Sequence, residues 1–231
     1  MEHLHSPIII LVSADAEWRC VRARFPDADV QPSPLGEWFL APELDVIFFH
    51  GGWGKIRAAA SAQYVIGRWS PALLINIGTC GGFAGEIELG AFVLARHTVV
   101  YDIYEQMADA EEAIAAYATE IDLSWVAGDD PAGVERGVLV SGDRDLWTDD
   151  IPKLRSVYGA KAGDWESGAI AYVAARNGVR CLILRGVSDL VGSDGGAAYG
   201  DGAQQWRAAT EGIMTALLEA LPDWISRIGE L

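Results

Sequence analysis

Three carboxylates that are remote along the chain, Glu17, Glu166 and Asp189, each follow or flank the carboxyl end of an apolar run. In a mostly parallel sheet such ends share one rim, so the three side chains are expected to converge. An ionised carboxyl beside an apolar cavity persists only if it is solvated, paired or used, and neighbouring carboxylates shift one another's pKa values. One acid held protonated and another held ionised is what acid/base chemistry on a neutral substrate requires. Taken singly, each residue has a plainer reading: Glu17 as a first-turn carboxylate facing a helix dipole, the others as caps or surface charges. Beside them, the apolar run 72–77 ends in Gly78, Gly81 and Gly82, read as a turn that hands backbone to a ligand at a buried strand's carboxyl end. Alone, such a turn could merely reverse the chain.

The elements that must position these groups follow from apolar periodicity. Ile8–Val12 reads as a fully buried first strand, with a helix running on from Ser13 to about residue 25. A short strand is expected at 37–41 and a buried one at Val46–His50, followed by Gly51, Gly52, Trp53, Gly54 and Lys55 and a helix over 56–69. That glycine-rich turn has neither the phosphate-loop nor the dinucleotide spacing, so it does not indicate a nucleotide phosphate site. Strands are predicted at 89–95, with a possible extension at 99–102, and at 137–141. An acidic, alanine-rich helix is predicted at 108–121. A helix over 164–173 would hold Asp164 and Glu166 in its first turn, and the strand 180–187 would deliver Ser188 and Asp189. Residues 192–202, rich in glycine, read as a mobile segment or lid, and 204–221 as a closing amphipathic helix. Strands alternating with helices predict a three-layer α/β/α sandwich around a mixed, mostly parallel central sheet, built as one domain over 1–231.

Composition narrows the partners. Seventeen Lys and Arg against 33 Asp and Glu give a net charge of −16, which disfavours nucleic acid and anionic membrane surfaces. Cys20, Cys80 and Cys181 lie far apart without a CxxC pair, so neither a disulfide framework nor a metal site is indicated, and a reducing cytoplasm is expected. The first apolar run is too short for a signal or a membrane span, and His3 and His5 read as a frayed tail.

Five segments together resemble a known family. They are Ile75 to Gly82 (INIGTCGG), Gly52 to Lys55 (GWGK) before an alanine-rich helix, Val140 to Asp143 (VSGD), Asp164 to Ala171 (DWESGAIA) and Arg185 to Asp189 (RGVSD). This series is similar to the signatures of the purine nucleoside phosphorylase and nucleosidase superfamily, and most similar to its 5′-methylthioadenosine/S-adenosylhomocysteine nucleosidase branch. The resemblance implies a nucleoside phosphorylase-like fold, a homodimer, no cofactor, a purine nucleoside as substrate and water as nucleophile in hydrolysis of the N-glycosidic bond. It implies that Asp189 supplies the proton at purine N7, positioned by Ser188, and that Glu166 holds the ribose hydroxyls as an ionised carboxylate beside Trp165. Glu17 would bind and activate the attacking water. Thr79, Cys80 and Gly81 would line the ribosyl side, with Leu146 and Asp164 completing the binding set. Arg185 is either a site residue or a structural partner for a carboxylate.

Within the superfamily, phosphorylases carry an arginine where this chain has Asn76, and a second in the N-terminal segment where it has Ser13 to Glu17. A phosphate dianion needs cationic or bidentate donors that water does not, so hydrolysis is the favoured reading and a phosphate-dependent phosphorylase the alternative. Asp145 stands where the branch often has a stacking phenylalanine, leaving Trp147 to take over or the base pocket to differ. Trp165 replaces a methionine and would narrow the 5′ side. The segment after Asp102 is shorter than the usual aromatic loop. These departures keep another purine nucleoside, such as futalosine, as an alternative substrate, and a nucleoside-binding protein without catalysis as a third.

Overall fold

The computed structural model describes residues 6–192, 195–196 and 203–228. In chain order the elements are β1 (Ile8–Val12), α1 (Asp15–Arg24), β2 (Gln31–Ser33), β3 (Gly36–Ala41), β4 (Val46–His50), α2 (Lys55–Trp69), β5 (Leu73–Phe83) and β6 (Phe92–Val100). There follow α3 (Ala110–Ala115), β7 (Thr119–Glu120), β8 (Val134–Ser141), α4 (Ile151–Tyr158), β9 (Ala160–Asp164), α5 (Ser167–Arg176), β10 (Arg180–Gly192), β11 (Gly195–Gly196) and α6 (Ala203–Ser226).

The strands form one mixed sheet in the order β11-β10-β6-β8-β9-β5-β1-β4-β3-β2. β1 runs parallel to both β4 and β5, and the longest ladder, β5 against β10, is also parallel. Because β10 pairs with β6 as well as β5, and β9 joins β8 to β5, the five strands β5, β10, β6, β8 and β9 close on themselves, and β1, β4, β3 and β2 extend as an open wing. The layers follow from strand alternation. Ile8, Ile10 and Val12 of β1 pack with Trp18 and Val21 of α1 and Met214 and Leu217 of α6, while Ile9 and Leu11 face Ala58 and Ala62 of α2 and Ile170 of α5. β1 is apolar at every position because both faces are covered. The three-layer α/β/α architecture expected from the sequence is therefore present.

Four local expectations need correction. Gly78, Gly81 and Gly82 do not form a turn: β5 runs straight through them, and none has a positive φ. Their lack of a side chain serves close packing instead, as the site shows. The expected strand at 89–95 and its extension are one strand, β6. The helix expected at 108–121 is confined to Ala110–Ala115, because Thr119 and Glu120 leave it to pair with His97 and Thr98 of β6. Asp164 ends strand β9, and Glu166 is the N-cap of α5, so neither lies in a first helical turn. β9 and α4 went unforeseen, β9 because AKAGD carries no apolar run. Of the segment 192–202, residues 193–194 and 197–202 lie outside the described residues, as do His3 and His5.

Candidate active site

Glu17 reaches the site because α1 begins where β1 stops. Ala14, the N-cap, has no side chain that can cap, so Glu17 folds back and its Oε2 accepts the Ala14 N–H at 3.2 Å. Its Oε1 accepts from the Thr79 N–H at 2.6 Å and from the Thr79 hydroxyl at 3.0 Å. The carboxylate is 2% exposed, and these donors fix it across the middle of β5.

Arg185 of β10 lies behind it, fully buried, at the centre of three carboxylates. Its Nη1 is 3.8 Å from Glu17, its Nη2 3.4 Å from Glu166 and its Nε 3.0 Å from Asp164. Nη2 also donates to Asn76 at 2.7 Å, and Nη1 to the Thr79 carbonyl at 3.3 Å. Arg185 is thus an ion-pair partner of three buried carboxylates. Gly78 is paired with Arg185 in register, and a Cβ there would stand 2.4 Å from the guanidinium and 2.7 Å from Glu17. Glycine is required at that position for room, not for a turn.

Asp164 uses both oxygens internally. Oδ1 accepts from Ser141 at 2.6 Å and from the backbone N–H groups of Glu166 and Ser167, and Oδ2 from the Ser167 hydroxyl and Arg185. It thereby satisfies orphan N–H groups at the start of α5 and aims Glu166. Glu166 accepts the Gly54 N–H at 3.0 Å. Burial pushes its carboxyl up to about 8, with Arg185 opposing the shift and Asp164 and Glu17 adding to it. One guanidinium thus faces more negative charge than it can neutralise.

Asp189 owes its direction to a bulge. β10 and β5 pair as Val187 with Cys80 and then Asp189 with Gly81, leaving Ser188 as the extra residue. Ser188 lies 2.9 Å from Asp189 Oδ1 and 3.3 Å from the Cys80 carbonyl. Burial raises the Asp189 pKa, a Ser188 hydrogen bond opposes this, and Asp145 adds to it. Burial also pushes the Cys80 thiol well up, which keeps it a thiol and not a nucleophile.

These groups share a cavity of about 720 Å³. All ten residues chosen from the sequence line it: Glu17, Thr79, Cys80, Gly81, Leu146, Asp164, Trp165, Glu166, Ser188 and Asp189. Trp147 does not. It is 62% exposed, packs under Arg144 at 5.2 Å and borders a separate, smaller hollow. Sequence reasoning missed Arg19, Trp53, Val191, Trp206 and Arg207, which also line the cavity. Trp53 meets Trp165 at the rim, ring centroids 5.0 Å apart. The loop that carries Trp53 is tied down by the Lys55–Asp102 ion pair and by the Lys55 N–H to Asp143 at 2.7 Å. The same loop supplies the Gly54 N–H to Glu166, so the GWGK segment positions a carboxylate and needs no phosphate.

The fold and this cavity define a nucleoside phosphorylase-like protein. A family model for the phosphorylase superfamily matches residues 25–219, and the chain belongs to that superfamily. Glu17 lies before the matched span. Among individual proteins the chain is similar to the 5′-methylthioadenosine/S-adenosylhomocysteine nucleosidase of Maridesulfovibrio salexigens, 29% identical over 180 residues covering 72% of this chain and 77% of that one. It is 25% identical over 203 residues to the same nucleosidase of Marinomonas sp., covering 82% and 88%. The fold matches that nucleosidase of Campylobacter jejuni with a TM-score of 0.75 at 20% identity, over 95% of this chain and all of that one. It matches the futalosine hydrolase of Helicobacter pylori with a TM-score of 0.74 at 17% identity, over 95% and 97%.

Proposed function

We propose that this chain is a purine nucleosidase that hydrolyses the N-glycosidic bond of a 5′-substituted adenosine, methylthioadenosine or S-adenosylhomocysteine, to free base and ribosyl product. The observation that carries this reading is the placement of Glu17, held by the Thr79 backbone and hydroxyl on the wall of the cavity, with the one arginine behind it fully buried against carboxylates. A carboxylate so held suits a water that must lose a proton as it attacks, and it repels a phosphate dianion. Asp189 gives its proton to N7, and the burial that raises its pKa keeps that proton available. The base then departs neutral while the ribose takes on oxocarbenium character.

Glu166 takes the ribose diol. Its carboxylate accepts from the two hydroxyls, which favours the ionised form that burial disfavours. Asp164 acts through Arg185 and the α5 N-terminus, without touching substrate. Leu146, Gly81 and Val191 give the base an apolar wall, and Trp165 with Trp53 borders the sugar's 5′ side.

The chain acts as one catalytic unit over its length, and as a homodimer. Ile56, Tyr104 and Met107, 83%, 83% and 97% exposed, lie near Lys55 and Asp102 along the chain and are the apolar side chains this reading offers to a second copy. The free thiols Cys20, Cys80 and Cys181 suit a reducing cytoplasm. Among the described residues no helix is long and apolar enough to cross a membrane. The test is incubation with methylthioadenosine, S-adenosylhomocysteine, inosine and futalosine in phosphate-free buffer. Free adenine from the first two is expected. Release of base from futalosine alone would move the substrate, and no release from any would refute the reading.

A further inference from the structure

We propose that Lys55, Asp102 and Asp143, which lie outside the cavity, are positioning residues for the ribose diol: they hold the Gly54 N–H on Glu166 and so set a preference for ribosides over 2′-deoxyribosides. The proposal deepens the nucleosidase reading above and rests on it for the role of Glu166.

None of the three lines the cavity, yet together they join three segments of the chain beside it. β6 and β8 pair in parallel with Val100 opposite Ser141, so Asp102 and Asp143 leave the sheet from adjacent strand ends. The Asp143 N–H donates to Asp102 Oδ2 at 2.8 Å, and the neighbouring Gly142 N–H donates to the Asp164 carbonyl at 3.1 Å. The two aspartates are thus fixed to the part of the sheet that carries Asp164. Lys55, the first residue of α2, bridges both. Its ammonium pairs with Asp102 Oδ1 and lies 3.9 Å from Asp143 Oδ2, and its N–H donates to Asp143 Oδ1 at 2.7 Å. The Lys55 and Asp102 side chains are only 21% and 12% exposed, so solvent screens this pair less than one on the open surface.

The residue that the cluster fixes is Gly54, the N-cap of α2. It has a φ of 88°, which residues with a side chain rarely adopt, and a Cβ there would stand 3.2 Å from Asp143 Oδ1. Held so, its N–H donates to Glu166 Oε1 at 3.0 Å, a shorter contact than the 3.4 Å from Arg185 Nη2 to Oε2. Each carboxyl oxygen of Glu166 then has a donor from the protein and a further lone pair for a hydroxyl. A carboxyl anchored at both oxygens meets two vicinal hydroxyls at once, whereas one free to turn still finds a single hydroxyl. Loosening the cluster therefore costs a diol more than a lone 3′-hydroxyl.

The experiment measures kcat/KM for methylthioadenosine relative to its 2′-deoxy analogue in the wild type, Lys55→Met and Asp143→Asn. Lys161→Met, which breaks the pair with Glu135 near the amino ends of β9 and β8, is the control. The same ratio is read as dissociation constants by calorimetry in the Asp189→Asn background, so that it stands without turnover. Lys55→Met is expected to lower the ratio about fivefold to tenfold in both readouts. Asp143→Asn keeps an oxygen for the Lys55 N–H and should lower it about threefold, and it carries the test should Lys55→Met fail to fold. Lys161→Met should leave the ratio unchanged. A ratio within about twofold of the wild type in either folded variant would overturn the inference, as would an equal fall in Lys161→Met. No base release from the wild type, with the binding ratio falling as stated, would instead remove the nucleosidase reading and leave the positioning role.

Discussion

The floor and the mouth of this cavity are built on opposite terms. At the floor, Glu17, Asp164 and Glu166 crowd a guanidinium that has no exposure, and nearly every oxygen and nitrogen has a partner inside the protein. At the mouth, Arg19, Arg207 and Asp15 stand in solvent without ion pairs to one another. Buried charges tolerate little change, because removing one partner leaves the rest desolvated and unbalanced. Exposed ones can be exchanged at almost no cost in stability. On the proposed reading the reaction belongs to the floor, and the mouth only admits the substrate.

The sharpest break between the regions should appear in turnover. Glu17→Gln and Asp189→Asn are each expected to lower kcat by about 10²- to 10⁴-fold, with far-ultraviolet circular dichroism and nucleoside-analogue binding retained. Wild-type rates in either variant would detach the carboxylates from the chemistry.

Stability provides the next separation. Arg185→Met leaves three buried carboxylates without their cation and is expected to cost about 3–5 kcal/mol in urea unfolding at neutral pH. That cost should shrink as the pH falls and the carboxylates take up protons. Arg19→Met, at the rim, should change stability by less than about 0.5 kcal/mol.

A smaller effect tests the packing of β5. Gly78→Ala pushes a methyl into the Arg185 guanidinium and the Glu17 carboxylate and should cost about 1–3 kcal/mol together with most activity. Gly82→Ala first meets the apolar side chains of Val187, Ile87 and Leu190, so it should cost stability while sparing KM.

The mildest expectation concerns pH. The folded protein holds the Glu166 proton up to about 8, whereas an unfolded glutamate releases it near pH 4, about 4.3. This group's contribution to stability is therefore complete below about pH 4 and is lost as the pH rises through about 8. Glu166→Gln cannot ionise, so its melting temperature should gain on the wild type between about pH 4 and pH 8 and gain no further above that. Parallel melting curves across that range would contradict the burial-driven shift.

How much of this was legible in the chain depends on the kind of signal. β1, β4 and α2 declare themselves by apolar runs and helical spacing, and so does the convergence of carboxylates at the ends of such runs. The glycines of β5 carry two meanings that sequence cannot separate, a positive φ or a close neighbour, and the neighbour was Arg185, a hundred residues away in the chain. β9 exists because both its neighbours need a partner, which AKAGD by itself does not reveal. The bulge at Ser188 and the hub role of Arg185 are properties of register and depth. Arg19, Trp206 and Arg207 reach the cavity through the packing of α1 on α6, which leaves no local trace.

The central claim is that the floor activates water and excludes phosphate. The most direct measurement is the product formed from methylthioadenosine in heavy-oxygen water with phosphate present in excess. The account expects free adenine and a ribosyl product with the heavy oxygen on its anomeric carbon. A ribosyl 1-phosphate, or no product until phosphate is added, would contradict it.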